Sequence, residues 1–172
     1  MSPLTARSVS MALVGGLAAI LLYSQGFLVW AALVAWAAFL DAGGGTAALK
    51  QTIIGTAFGA FLAWVTLLLA LNIEFAADSQ MWIPRTAIAI AISLFVLVMS
   101  TKIAALSRLS TSLYGYASLF GAYVIAIEGR TALEGLSSRH LNNPLVMVVV
   151  SMALGAVAGH ISNRLADAMA KK

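Results

Sequence analysis

Few side chains in this sequence could do chemistry, and most of them stand where apolar runs end. Asp41 and Lys50 bracket the stretch Gly43-Gly44-Gly45-Thr46, Lys102 and Glu128 each close an apolar run, and His160 lies four residues before Arg164. An ionisable group in such a place either reaches for the headgroups along its own stem or lines a polar path, because exposing it to hydrocarbon is costly. Two helix starts add a second signal. Gly43-Gly44-Gly45-Thr46 leaves N–H groups beside Lys50, and Asn142-Asn143-Pro144 does the same on the opposite face. Helix N-termini attract anions through these donors and the helix dipole. The candidate solute pathway is therefore Asp41, Gly44, Gly45, Thr46, Lys50, Lys102, Asn143 and His160. The plainer account of each charge is snorkelling, and every membrane helix has an N-terminus.

Other chemistry is poorly served. The chain has no cysteine and two histidines, His140 and His160, so thiolate sites, disulfides and histidine-rich metal cages are not expected. No Ser/His/Asp set, paired intramembrane carboxylates, HExxH or phosphate-binding loop is present, and neither an enzyme nor a cofactor is expected. The net charge of +4 comes from basic residues at the ends of apolar runs. No basic run is interleaved with aromatics, so nucleic acid is not an expected partner.

The elements that must carry these residues are membrane helices. The chain is 62% hydrophobic and 9% charged, against roughly 25% charged in soluble domains. Its apolar residues come in long blocks, and an all-α polytopic transmembrane bundle filling residues 1–172 as one domain fits both facts. From Ser8 to Leu40 there are 33 residues without a charge. As one helix they would reach about 50 Å at 1.5 Å per residue, well beyond the roughly 30 Å hydrocarbon core. A break at Ser24-Gln25-Gly26 gives helices near 6–24 and 27–41. Arg7 ahead of this apolar run resembles a signal peptide without a small-x-small cleavage site, which reads as an uncleaved first helix. Further helices are expected near 47–71, 85–106, 111–127 and 144–166, with Asn143 as N-cap and Pro144 in the first turn of the last.

Six spans with the N-terminus inside place Arg7, Lys50, Lys102, Arg108, Arg164, Lys171 and Lys172 in the cytoplasm and Arg85, Arg130 and Arg139 outside. That bias obeys the positive-inside rule better than a five-span reading does. Trp30, Trp64 and Trp82 then fall near the outer interface as an aromatic belt, with Trp36 deeper.

The two halves echo each other. Trp30, Trp36, Phe39 and Gly45 share the spacing of Tyr114, Phe120, Tyr123 and Gly129, and Gly55-x-x-x-Gly59 is matched by Gly155-x-x-x-Gly159. Three helices per unit, about 6–71 and about 85–166, make this a 3+3 inverted repeat, as in many transporters. The plainer role of Gly55, Gly59, Gly155 and Gly159 is close helix packing.

The run Trp30, Trp36, Phe39, the glycine loop, Leu49-Lys50 and Gly55-Thr56-x-x-Gly59 resembles the small bacterial inner-membrane proteins of domain of unknown function 1097. So does Tyr114-Gly115-Tyr116-x-x-x-Phe120-Gly121-Ala122-Tyr123, followed by Leu154-Gly155-x-x-x-Gly159. Arg7, Trp30, Lys50 and Gly55-Thr56-x-x-Gly59 are also similar to the membrane domain of fusaric-acid-resistance proteins, aromatic-acid exporters and malate channels. That second likeness implies dimerisation and an anion path. This sequence departs from its pattern where a second basic residue usually precedes the Gly-Thr, since Gln51, Thr52, Ile53 and Ile54 stand there.

The expectation is a channel or transporter of the bacterial inner membrane, with both termini cytoplasmic. It would be a homo-oligomer, a dimer or larger, passing a small polar or anionic solute. The alternative is a non-conducting scaffold or accessory subunit whose small-residue faces dock onto a larger membrane complex.

Overall fold

The computed structural model describes residues 1–72, 82–126, 136 and 143–170. These form six α-helices: α1 Pro3–Ser24, α2 Val29–Asp41, α3 Thr46–Asn72, α4 Trp82–Met99, α5 Leu109–Ala126 and α6 Pro144–Ala170. Glu128, Gly129, Arg130, Arg139, His140, Asn142, Lys171 and Lys172 lie outside the described residues, as does the side chain of Trp82.

Local chemistry sets the helix ends. The Ser2 hydroxyl accepts from the Thr5 N–H at 3.1 Å and caps α1, with Pro3 in the first turn. At the other end of α1 the N–H of Gly26 donates to Tyr23 O and that of Phe27 to Leu22 O. This is a Schellman motif, and it needs the left-handed φ of 74° that Gly26 supplies. The same motif ends α2: Gly43 N–H donates to Leu40 O and Gly44 N–H to Phe39 O, with Gly43 at φ 105°. Both reversals are written in glycine, which is why the break at 24–26 was readable in the sequence.

The end of α4 was not. The apolar run predicts helix to residue 106, but the α-helix stops at Met99 and gives way to 3-10 turns at Ser100–Lys102 and Ala104–Leu106. The Ser100 and Thr101 hydroxyls bond back to Leu97 O and Val98 O, each at 2.7 Å. They compete for the carbonyls that a continuing helix would use, and Ile103 turns extended.

Contacts at the helix ends fix an up-down order. The start of α1 lies with the end of α2 and the end of α6, where Arg7, Gly43, Gly44 and Asn163 line one cavity. Gln51 near the start of α3 donates to Ser107, just before α5, and Arg108 there reaches Asp41 at the end of α2. At the opposite end Leu28, before α2, donates its N–H to Ser151 in α6, and Ala70 of α3 faces Arg85 of α4. Each helix thus traverses the bundle in the sense opposite to its predecessor. Four of them, α1, α3, α4 and α6, are long and apolar enough to cross a membrane. The 13 residues of α2 reach only about 20 Å.

The most extensive packing is α3 on α5 and α2 on α6. Hydrophobic burial cannot drive it in lipid, so the helices must come close enough for backbone-to-backbone contact. A Cβ at Gly59 would overlap the Ser112 carbonyl, one at Gly115 the Thr56 carbonyl, and one at Gly155 the Ala32 carbonyl. One at Gly55 would meet the Thr111 side chain, and one at Gly159 would lie 2.8 Å from Trp36 Cδ1. Around these crossings Ala31, Ala35, Ala60, Ala63, Leu119 and Met152 form the buried core.

Gly59→Ala and Gly155→Ala should each destabilise the fold by about 1–3 kcal/mol, because the colliding atoms are backbone and cannot rotate away. Gly16→Ala, where nothing lies within 4 Å of an added Cβ, should be neutral or stabilising by up to about 1 kcal/mol. Thermal unfolding in mild detergent ranks the three.

Candidate functional site

Most of the polar side chains that meet across the described bundle do so at the end where α1 begins. The backbone carbonyl of Asp41 accepts from Arg108 Nη1 at 3.0 Å, and its carboxylate accepts from Ser110 at 3.2 Å. A cation suits this place because the last carbonyls of α2 carry partial negative charge. The Arg108–Asp41 ion pair is loose, at 3.9 Å with side chains 40% and 55% exposed.

Beside it the glycine loop meets α6. Asn163 Nδ2 donates to the Gly44 carbonyl at 3.1 Å, holding the loop against the bundle. A cavity of about 290 Å³ opens here between Arg7, Met11, Leu40, Gly43, Gly44 and Asn163. Deeper along α1 and α6, Ser10 Oγ donates to Ser162 O at 2.6 Å and lies 3.0 Å from Ser162 Oγ, both residues fully buried. His160 packs at right angles to Phe39 with ring centroids 5.9 Å apart. Its Nδ1 is buried without a hydrogen-bond partner among the described residues, as is Trp36 Nε1.

The sequence-derived candidates separate into three groups. Asp41, Gly44 and, through Phe39, His160 gather at this end of α2. Gly45, Thr46, Lys50 and Lys102 lie at the same end and, like Asp41, are exposed. Asn143 is at the opposite end, where its Oδ1 accepts from Leu145 N–H at 2.9 Å as a helix cap and its Nδ2 donates to Leu136 O. The N–H groups of Gly43 and Gly44, assigned from sequence to an anion, are instead bonded to α2 carbonyls in the Schellman turn. Of the tryptophans, Trp64 donates Nε1 to Leu136 O at 3.0 Å, and Trp30 covers Gly121. Both lie toward the Asn143 end.

Sequence reasoning did not place Asn163, Ser10 or Ser162 in the site. Serines on α1 and α6 carry no mark of pairing across 152 residues. Asn163 sits one turn beyond Gly159 on a small-residue helix and could have been singled out only as the one amide there.

Asn163→Ala should lower stability by about 1 kcal/mol and speed amide exchange at Gly43 and Gly44, read by hydrogen–deuterium exchange. Arg108→Ala should change stability by less than about 1 kcal/mol, since its ion pair is half in solvent.

Residues 8–167 match the model of the family described as “Protein of unknown function (DUF1097)”. No curated protein and no solved structure matches the chain. The match runs from the second turn of α1 to the last turn of α6 and takes in the glycine loop, both small-residue crossings and the charged end, so the chain belongs to the DUF1097 family.

Proposed function

We propose that the chain is one subunit of a small channel or transporter of the bacterial inner membrane, a homodimer or larger, passing a small polar or anionic solute. The observation that carries this reading is the pairwise equivalence of the packing. α3 lies on α5 as α6 lies on α2, and α4 flanks α3 as α1 flanks α6. The flanking helices α1 and α4 are each 11% buried over their apolar span, and the central α3 and α6 each 44%. A three-helix unit repeated in the opposite sense generates such a pattern, the 3+3 inverted repeat of many transporters.

The aromatic spacing relates Trp30 to Tyr114 at an offset of 84 residues (114 minus 30). In both units a glycine makes the close approach to backbone, Gly59 at the Ser112 carbonyl and Gly155 at the Ala32 carbonyl.

Charge supports the orientation. Arg7, Lys50, Lys102, Arg108 and Arg164 lie toward the end where α1 begins, against Arg85 toward the other among the described residues. The positive-inside rule turns the richer end, with the start of α1 and the end of α6, to the cytoplasm. The inner mouth is then the cavity at Arg7, Gly44 and Asn163, leading toward Ser10 and Ser162, while exposed Lys50 and Lys102 concentrate anions outside it. The likeness to organic-acid conduits adds the expectation of an anion.

One observation favours the second reading, a non-conducting scaffold or accessory subunit. Leu13, Leu17, Ile20 and Leu21 on α1 and Ile88, Ile92 and Phe95 on α4 are exposed apolar flanks, suited to neighbouring helices as well as to lipid. Flux into proteoliposomes separates the two. Of chloride, small carboxylates, urea and glycerol, at least one should enter faster than into empty liposomes, and Arg7→Gln should cut that flux severalfold, Lys50→Ala less. A folded preparation that passes none of them, and that brings a stoichiometric partner from native membranes, sinks the conduit in favour of the scaffold.

A further inference from the structure

The two flanking helices are seated differently. α1 lies tightly on α2 and α6: Ser10 and Ser162 touch, and the gap lined by Gly15, Ala19 and Gly155 holds only about 10 Å³. α4 stands off α3, leaving a groove of about 590 Å³ between Leu62, Thr66 and Ala70 on one side and Arg85, Ala89 and Val96 on the other. The groove is apolar in practice. Thr66 donates its hydroxyl to Leu62 O, and the Ser93 hydroxyl is engaged with Ile90 O and Tyr116 Oη.

We propose that this groove holds one acyl chain of an anionic phospholipid, with the Arg85 guanidinium at its headgroup. Three features on the structure select that occupant. From Arg85 to Val96 is 11 residues of α4, about 16 Å at 1.5 Å per residue, which is one leaflet of a roughly 30 Å hydrocarbon core. The volume lies in the ~300–1,000 Å³ range of small-molecule sites, and in a bilayer an apolar space of that size opening between helices is filled by hydrocarbon. The cation stands at the interfacial end of the groove, where a phosphate lies. Arg85 is engaged within the protein, but a guanidinium offers five donors and accepts a phosphate in addition to a protein partner. The site is independent of whether the chain conducts.

The test uses the full chain in mild detergent after exchange into vesicles of one part phosphatidylglycerol to three parts phosphatidylcholine. Native mass spectrometry should find one phospholipid retained per chain, enriched in phosphatidylglycerol. Ala89→Phe, which fills the groove, should remove the retained lipid. Arg85→Gln should keep a lipid but reduce the preference for phosphatidylglycerol about fivefold. Should Ala89→Phe fail to fold, wild type carries the test with a phosphatidylglycerol bearing a photoactivatable group midway along one acyl chain. Cross-links to both α3 and α4 are expected. No retained lipid in wild type, an unchanged lipid count in folded Ala89→Phe, an unchanged preference in Arg85→Gln, or cross-links only elsewhere would each overturn the proposal. Disulfide trapping of a second copy in the groove, through cysteines placed on α4, would overturn it too.

Discussion

In hydrocarbon, two helices gain nothing by hiding apolar surface from each other, because lipid tails offer the same surface. What remains is dispersion, interhelical hydrogen bonding and lipid entropy, and dispersion needs contact at full van der Waals closeness. This bundle reaches that closeness at Gly59, Gly115 and Gly155, where backbone touches backbone. The rest depends on those crossings. They seat α3 on α5 and α2 on α6, and so bring the end of α2 beside Arg108 on one side and Asn163 on the other. Alanine is the other half of the device: Ala31, Ala35, Ala60 and Ala63 are fully buried and occupy places where a larger side chain would hold the helices apart.

Buried hydroxyls follow the same logic. Thr56 and Thr66 each bond to a carbonyl one turn back on their own helix, Thr52 O and Leu62 O, so they sit in the interior without demanding a partner across it. Three others do cross: Ser10 to Ser162, Ser93 to Tyr116, and Ser151, which accepts from Leu28 N–H. The first two join the flanking helices α1 and α4 to the rest of the bundle.

What could be read in the sequence was whatever local chemistry decides. The two glycine-capped reversals, the proline that opens α6 and its Asn143 cap all lie within a few residues of the feature they produce. The end of α4 escaped because hydropathy continues through residues 100–106 while the Ser100 and Thr101 hydroxyls take over the helix carbonyls. The candidate site was legible in part. Asp41 and the glycine loop announce themselves by type, but which charge they meet depends on how α5 and α6 return. Lys50 looked closer to the loop in sequence than Arg108, yet the helix turns it outward.

Helix length has a consequence for the turns. α3 and α6 have 27 residues each and α2 has 13, so the long helices extend about 40 Å and the short one about 20 Å. Against a roughly 30 Å hydrocarbon core, part of the thickness beside α2 falls to irregular backbone, which hydrocarbon tolerates only where its polar groups are bonded within the protein. Both ends of α2 meet that condition: Gly43 and Gly44 N–H donate to Leu40 O and Phe39 O, and Leu28 N–H donates to Ser151.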